Sequence, residues 1–527
     1  MANMVKYNNP ILPGFYPDPS ICRVGSDYYL VNSTFDYFPG VPIFHSTDLV
    51  HWTQIGNILD RPEQLPLDND NFAGAGIYAP TLRYHDGTFY MITTNIGSSL
   101  GNFIVTASDP AGPWSDPIPL GSDGIDPSLF FDDDGRCYYH GTQGRREGSR
   151  FFGDQEIYVQ ELDLKTMKLT GESWPIWNGA LRGVEWAEGP HIFKKDGWYY
   201  LMISEAGTGH MHCVTMARSK NIRERFEGYN GNPVLTHRHL GVNYPIVNVG
   251  HPDIVETQNG EWWMVLLASR PYGGYYRNLG RETFLVPFEW ENGWPLINPG
   301  IGLVEDTFTA PDLPECTSEV IPECDSFDYD KLPLHYMYIR NPHMENYSLS
   351  ERPGHMALTP SAVKVSSRIG SPTAIFTRQL HKSYSFESTL EFAPADGETA
   401  GITLFQSNDF NYQFGITNHD GGYYLEVLCC KGMKDENKDI VIARKELNTF
   451  DKDTCISLKA VQTEQSIDFS YSFNNAEYEI LYSGADGRIL STDSAGGFVG
   501  TCLGIYAQSE SPSAAKAYFD SITYKGL

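Results

Sequence analysis

The chain has 527 residues, including 50 glycines and 33 prolines, with 13% aromatic side chains and a formal charge of −28 at pH 7. That length exceeds one ordinary core and predicts two domains, and the turn-rich, aromatic composition suits all-β structure. The acidity repels polyanions, which excludes nucleic acid and anionic membrane as partners and favours a neutral ligand.

The start, MANMVKYNNPILPGFYPDPS, has no apolar signal core, and no later run reaches transmembrane length. As written the chain therefore reads as cytoplasmic; a signal peptide removed upstream would leave the same start on a periplasmic or secreted protein. Residues 8–16, NPILPGFYP, lead into the first of five related stretches. These are PDPSICRVGSDYYLVNST at 17–34, YAPTLRYHDGTFYMITT at 78–94, IDPSLFFDDDGRCYYHGT at 125–142, AEGPHIFKKDGWYYLMIS at 187–204 and GHPDIVETQNGEWWMVLLA at 250–268. Each reads as a proline, an alternating apolar strand, a Gly/Asp turn and an aromatic pair opening a second strand, which is the pattern of a β-hairpin. Their spacing of roughly 50–60 residues belongs to propeller arrays, so a five-bladed β-propeller is predicted over residues 1–308. Outer pieces such as GVPIFHSTDLVHW (40–52), SDPAGPWSDP (108–117), DLKTMKLTGE (163–172) and VPFEWENGWPLIN (286–298) carry turn chemistry and need no functional explanation. Helical periodicity is nearly absent; MARSKNIRERFEG at 216–228 is the best short candidate.

The repeat stops near residue 305. TAPDLPECTSEVIPEC, 309–324, reads as a connector. From 325 to 527 short alternating strands continue, among them KSYSFESTLEFAP, YQFGITN, YYLEVLCC, SIDFSYSF and AYFDSITYKG, which predicts an antiparallel β-sandwich. Nine cysteines without a CxxC pair point to free, mostly buried thiols.

In a propeller the first strand of every blade lines the central channel, so equivalent positions at the head of each repeat converge. Before the five prolines stand Asp18, Ala79, Asp126, Gly189 and His251, with Glu188 one residue further back in the fourth copy. Pleat alternation predicts that this offset aims Glu188 differently from the two aspartates. One Asp-Pro alone is an ordinary turn, but recurrence at equivalent positions makes a site. Carboxylates around a pocket in an aromatic-rich protein suggest glycoside hydrolysis, in which one carboxylic acid protonates the leaving oxygen and a second carboxylate activates water or attacks carbon. A third acidic neighbour keeps the acid protonated through like-charge repulsion.

The strings GFYPDPS, GIDPSLFFDDDG and AEGPHIF, with HSTDLVHW and GRETF, resemble glycoside hydrolase family 43, and the C-terminal part is similar to the concanavalin-like jelly-roll sandwich of its β-xylosidases and α-L-arabinofuranosidases. That resemblance implies an inverting mechanism with Asp18 as general base, Glu188 as general acid and Asp126 positioning Glu188 and raising its pKa. Inversion needs room for water between base and acid, about 6.5–9.5 Å. For His251 the reading is a structural hydrogen-bonding residue or, by resemblance, a water-mediated calcium site on the propeller axis. No organic cofactor is expected. Arg281 is either an outer-blade ion pair or, by resemblance, a donor to sugar hydroxyls. Phe35 and, more weakly, Tyr78 are blade packing or walls against the sugar, and Phe498 is sandwich core or an aromatic inserted over the pocket. If inserted, Phe498 closes a groove into a pocket for one terminal sugar, hence exo-action on xylo-oligosaccharides or arabinoxylan. A β-xylosidase with α-L-arabinofuranosidase activity is favoured over a dedicated arabinofuranosidase. The N-D-P-N, R-D-P and E-C motifs of retaining, sucrose- and fructan-cleaving propellers are replaced here by PDPS, IDPS and AEGP, and a non-catalytic sugar-binding propeller would be expected to lose a carboxylate. Oligomeric state, a homo-oligomer included, stays open.

Overall fold

The computed structural model describes residues 5–67, 74–318, 320–448, 450–451 and 454–527. Five antiparallel sheets follow one another between Ser20 and Ile297. Their innermost strands, Ser20–Val24, Thr81–His85, Ile125–Phe131, Glu188–Lys195 and Val247–Glu256, touch in a closed ring, the fifth packing against the first. Each pairs with the next strand in sequence (Asp27–Val31, Thr88–Ile96, Cys137–Gly144, Trp198–Glu205, Trp262–Ser269), as the five predicted hairpins require. The entry segment closes the circle: Lys6–Asn8 pairs with Thr307–Thr309, and Asn9 Nδ2 donates to the Leu285 carbonyl in blade five at 2.8 Å.

The helix expected at 216–228 is not formed. Cys213–Ser219 is the third strand of blade four, paired with Trp198–Glu205, and Arg218 lies between Trp198 and Trp294 with its guanidinium 4.4 and 4.5 Å from the two rings. Sheet pairing and cation–π contact on both faces outweigh a weak helix propensity.

The connector lies along blade one, where the Cys316 N–H donates to Asp48 Oδ2 at 2.9 Å. Cys324–Asp325 already pairs with the last strand of the second domain, Ala517–Gly526. That domain is a sandwich. One sheet holds Tyr384–Glu391, Cys455–Thr463, Ser466–Phe473, Glu479–Asp486 and Ala517–Gly526; the other holds Thr373–Arg378, Glu398–Ser407, Phe410–His419, Gly422–Lys431, Ile440–Leu447 and Cys502–Ser509. The apolar faces of the two sheets meet in one core through Phe386, Leu390, Ile402, Phe414, Leu458 and Phe469. The domains are joined by backbone pairing of Tyr338–Ile339 with Tyr37–Phe38. A loop at 487–501 reaches from the sandwich to the head of the propeller, where Thr501 N donates to the Asn278 carbonyl at 2.7 Å. All nine cysteines are free, six of them buried. Among the described residues no helix is long and apolar enough to cross a membrane.

Candidate active site

Asp18, Asp126, Gly189 and His251 share one unusual backbone state, with φ of 52°, 54°, 61° and 49°. The last three lie where the pairing register of the inner strand shifts. A left-handed residue inside a strand costs energy and breaks the pleat, and here the break exposes two successive positions to the channel instead of one. Asp18, Ala79, Asp126 and His251 line a cavity of about 310 Å³ from the repeat position itself, while Tyr78, Ile125 and Glu188 line it from the position before. The two aspartates and the histidine are buried, and Glu188 is only part-buried, nearer the mouth. A side chain at Gly189 is excluded by its neighbour: a Cβ there would lie 2.9 Å from Cε1 of His251. The offset seen in the repeat thus has a steric cause. With the histidine of blade five occupying the deeper position, the carboxylate of blade four stands one residue earlier.

The electrostatics separate the carboxylates. Burial pushes Asp18 up, but Arg281, His251, a hydrogen bond from the Ser33 hydroxyl and His212 together outweigh it and hold Asp18 below the usual aspartate range. Arg281 Nη1 donates to Asp18 Oδ1 at 2.7 Å, and Ser33 Oγ to Oδ2. Glu188 is pushed well above the glutamate range, by burial first and then by the charges of Asp126 and Asp18. Asp126 is also raised, by burial and by Asp18, against the pull of His251. Its Oδ2 accepts the Gly189 N–H at 2.9 Å, which fastens the strand carrying Glu188. A carboxyl held below its usual range and one pushed above it, in a single cavity, divide base and acid by environment.

Aromatic rings form one side. Phe498 stacks on Phe35 with centroids 5.7 Å apart and an interplanar angle of 19°, and meets Tyr78 edge-on at 5.7 Å. Arg281 lies over both phenylalanines, donates from Nη2 to the Phe498 carbonyl at 3.3 Å, and keeps Nε buried without a protein partner. All eight residues singled out in the sequence border this cavity. Trp186, Thr208, Gly207 and Ile125 border it too and were not singled out. Ile125 and Trp186 sit within two residues of Asp126 and Glu188, so motif adjacency was an available signal; Thr208 comes from a loop of blade four with no motif.

Further along the inner strands a second polar network links the five blades. Arg83 pairs with Asp253 (2.8 Å) and with His191 Nδ1 (2.9 Å), Ser20 Oγ donates to Asp253 Oδ2 (2.7 Å), and Ser128 Oγ lies 3.0 Å from the same histidine nitrogen. One residue from each blade joins this network, so the five inner strands are tied together.

Among the described residues no cluster on the axis would ligate a cation directly. Among the described residues the sole close trio of metal-type side chains is Asp48, His51 and Cys316, on the outer turn of blade one. Near the cavity, His212 donates from Nδ1 to the Asn248 carbonyl (3.0 Å), its Nε2 is buried without a protein partner, and burial lowers its pKa to about 4. A neutral His212 offers Nε2 as an acceptor suited to the waters of a hydrated ion, not to a first coordination shell of oxygens.

A five-bladed propeller whose axial cavity sets a carboxyl of lowered pKa and one of raised pKa beside an aromatic wall fits a glycoside hydrolase. The description Glycosyl hydrolases family 43 matches residues 7–295, and Beta xylosidase C-terminal Concanavalin A-like domain matches residues 324–525. The chain belongs to glycoside hydrolase family 43, whose members invert configuration. It is 48% identical over 516 residues to a xylosidase/arabinosidase of Butyrivibrio fibrisolvens, covering 96% of each chain. It is 38% identical to a non-reducing end alpha-L-arabinofuranosidase of Bacteroides ovatus, covering 95% of this chain and 91% of that one. The crystal structure of a xylan beta-1,4-xylosidase from Bacillus halodurans superposes with a TM-score of 0.91 at 36% identity, covering 98% of this chain and 100% of the other.

Proposed function

We propose that the chain is an exo-glycosidase releasing terminal D-xylose and L-arabinofuranose from xylo-oligosaccharides or arabinoxylan-type hemicellulose. The opposed electrostatics of Asp18 and Glu188 in one cavity carry this reading. Asp18 takes a proton from water, and the resulting oxygen attacks the anomeric carbon on the face opposite the leaving group. Glu188 gives its proton to the departing oxygen. Asp126 holds Glu188 through the Gly189 N–H and disfavours its ionised form by like charge. Arg281 keeps Asp18 ionised and offers donors to sugar hydroxyls, while Phe35, Tyr78 and Phe498 wall the apolar face of the ring. Phe498 closes the cavity on one side, which suits a chain end and not the interior of a polymer. A calcium ion held through its waters beside His251 would add positive charge near Asp18; no step passes through it.

The name of the Bacteroides ovatus relative supports a second reading, a dedicated α-L-arabinofuranosidase. Initial rates on aryl β-D-xylopyranoside and aryl α-L-arabinofuranoside, with proton NMR of the first-formed anomer, test both. Inverted product from both substrates is expected. Cleavage of the arabinoside alone selects the second reading, and retained configuration overturns the role given to Asp18.

A further inference from the structure

Phe498 follows Gly496 and Gly497, which have φ of 74° and 75° and open space where a Cβ would stand. Two permissive residues before the aromatic leave its position undetermined by the local backbone. What holds it must come from elsewhere. Behind this hinge the short helix Thr492–Ala495 presents Asp493 to the propeller. Arg277, in the loop between the second and third strands of blade five, meets it: its N–H donates to Oδ2 at 2.8 Å, and Nε and Nη2 donate to Oδ1 at 3.0 and 2.8 Å. The remaining nitrogen, Nη1, donates to the carbonyl of Thr208 at 3.1 Å. The guanidinium also lies over Tyr275, 5.1 Å from its ring centre, and the Tyr275 hydroxyl donates to Asn248 at 2.7 Å.

Thr208 and Phe498 both border the catalytic cavity, one from blade four and one from the sandwich. We propose that Arg277 is a positioning residue that sets the closure of the pocket by joining the sandwich loop that carries Phe498 to the blade-four loop that carries Thr208. All three of its guanidinium nitrogens are engaged, and it is not among the residues facing the cavity, so it acts on substrate through these two neighbours. The ion pair is mostly shielded, with side-chain exposures of 13% for Arg277 and 16% for Asp493. Shielding and multiple contacts raise such a pair above the small value of an open surface bridge. The rest of the interface seats the base of the loop closely, while the tip has two long single hydrogen bonds besides, from Arg281 Nη2 to the Phe498 carbonyl and from Gln406 Nε2 to the Gly496 carbonyl, 3.3 Å each. Gly280 and Gly500 approach so closely that a Cβ on the first would come 2.8 Å from Cα of the second, and Asn278 exchanges hydrogen bonds with Gly487 and Thr501. With the base fixed and a glycine hinge near the tip, loss of the Arg277 contact frees the aromatic and leaves the fold intact. Closure is a matter of binding and not of the chemical step, because Asp126 and Glu188 stand on inner strands and Asp18 just before one, and none of the three contacts Arg277 or Asp493.

The inference rests on the exo-glycosidase reading, and its test has one arm that does not. On an aryl β-D-xylopyranoside, Arg277→Ala and Asp493→Ala are each expected to raise KM about tenfold, as loss of about 1.4 kcal/mol of binding does, with kcat within about twofold of the parent. The double variant should closely match Arg277→Ala, since that change already removes every guanidinium contact that Asp493→Ala removes. Adding Arg277→Ala to Phe498→Ala should leave KM where Phe498→Ala puts it. A merely structural arginine would lower thermal stability without this dependence on Phe498. An unchanged KM in folded Arg277→Ala, a fall in kcat alone, or a full KM effect persisting in the Phe498→Ala background overturns the proposal. Backbone hydrogen exchange of residues 492–500 is expected to quicken in Arg277→Ala whatever the substrate proves to be; unchanged exchange there also overturns it. A parent enzyme that cuts neither pentoside, with exchange quickened as expected, would sink the function and leave the latch standing.

Discussion

Gly189 adjoins the residue assigned as general acid, and a single methyl group there would disturb the site in a way that the structure makes calculable. At φ 61° an L-residue costs about 1–2 kcal/mol relative to glycine. The new Cβ would also lie 2.9 Å from His251 Cε1 and 3.1 Å from both ring nitrogens, and this imidazole is buried, so it has little room to yield. Overpacking of that kind costs about 1–3 kcal/mol. Gly189→Ala is therefore expected to lose about 2–5 kcal/mol of a total stability of about 5–15 kcal/mol. Gly197→Ala, in the hairpin turn of the same blade, is the control: φ is 72°, and the nearest atom is the flexible Lys220 Nζ at 3.7 Å. Only the backbone cost of about 1–2 kcal/mol applies there. Urea unfolding reads the difference. In kcat/KM, Gly197→Ala should match the parent, whereas Gly189→Ala should fall by about 10²-fold, the loss that a shift of about 1 Å in a reacting group produces. Equal destabilisation by the two variants, or parental kcat/KM in Gly189→Ala, would refute the steric account of the Glu188 offset.

Arg281→Met removes the leading charge that opposes burial at Asp18, so Asp18 takes up its proton at higher pH and the acid limb of the kcat/KM profile should move up; a limb that stays in place in the folded variant removes Arg281 from that role. Asp126→Asn keeps an acceptor for the Gly189 N–H but deletes a charge that raises Glu188, so Glu188 should lose its proton at lower pH and the alkaline limb should move down, read from the same profile. Glu188→Ala should cost about 10²–10⁴-fold on alkyl or oligosaccharide leaving groups and markedly less on activated aryl glycosides, which need little protonation. Equal losses across leaving groups would count against its acid role. Asp18→Ala should abolish turnover on both kinds, because water still needs its base.

Sequence periodicity determined the five hairpins and therefore the ring: an alternating strand, a glycine turn and an aromatic pair are local instructions, and their repetition leaves a closed propeller as the way to bury every blade. The same repetition placed Asp18, Asp126 and His251 at one depth, because equivalent residues of equivalent blades must converge. Most strands of the sandwich were legible for the same local reason; Thr373–Arg378 and Glu479–Asp486 were not singled out. The outcome differed where neighbours decided. Within 216–228, the best short helix candidate, the first residues belong to the strand Cys213–Ser219, where Trp198 and Trp294 pack on Arg218. Glu188 was visible as an irregularity, but its cause, the imidazole of a blade more than sixty residues later, exists only in the fold. Trp186 lay beside a motif, whereas Thr208 and Arg277 carried no pattern, since one is placed by a loop and the other by an ion pair to Asp493 across a domain boundary. Pattern in the chain determines what short-range hydrogen bonding and pleat alternation require. The opposed pKa shifts of Asp18 and Glu188, and the seating of Phe498 beside them, come only from tertiary structure, because burial and charge proximity are properties of residues brought together from distant parts of the chain.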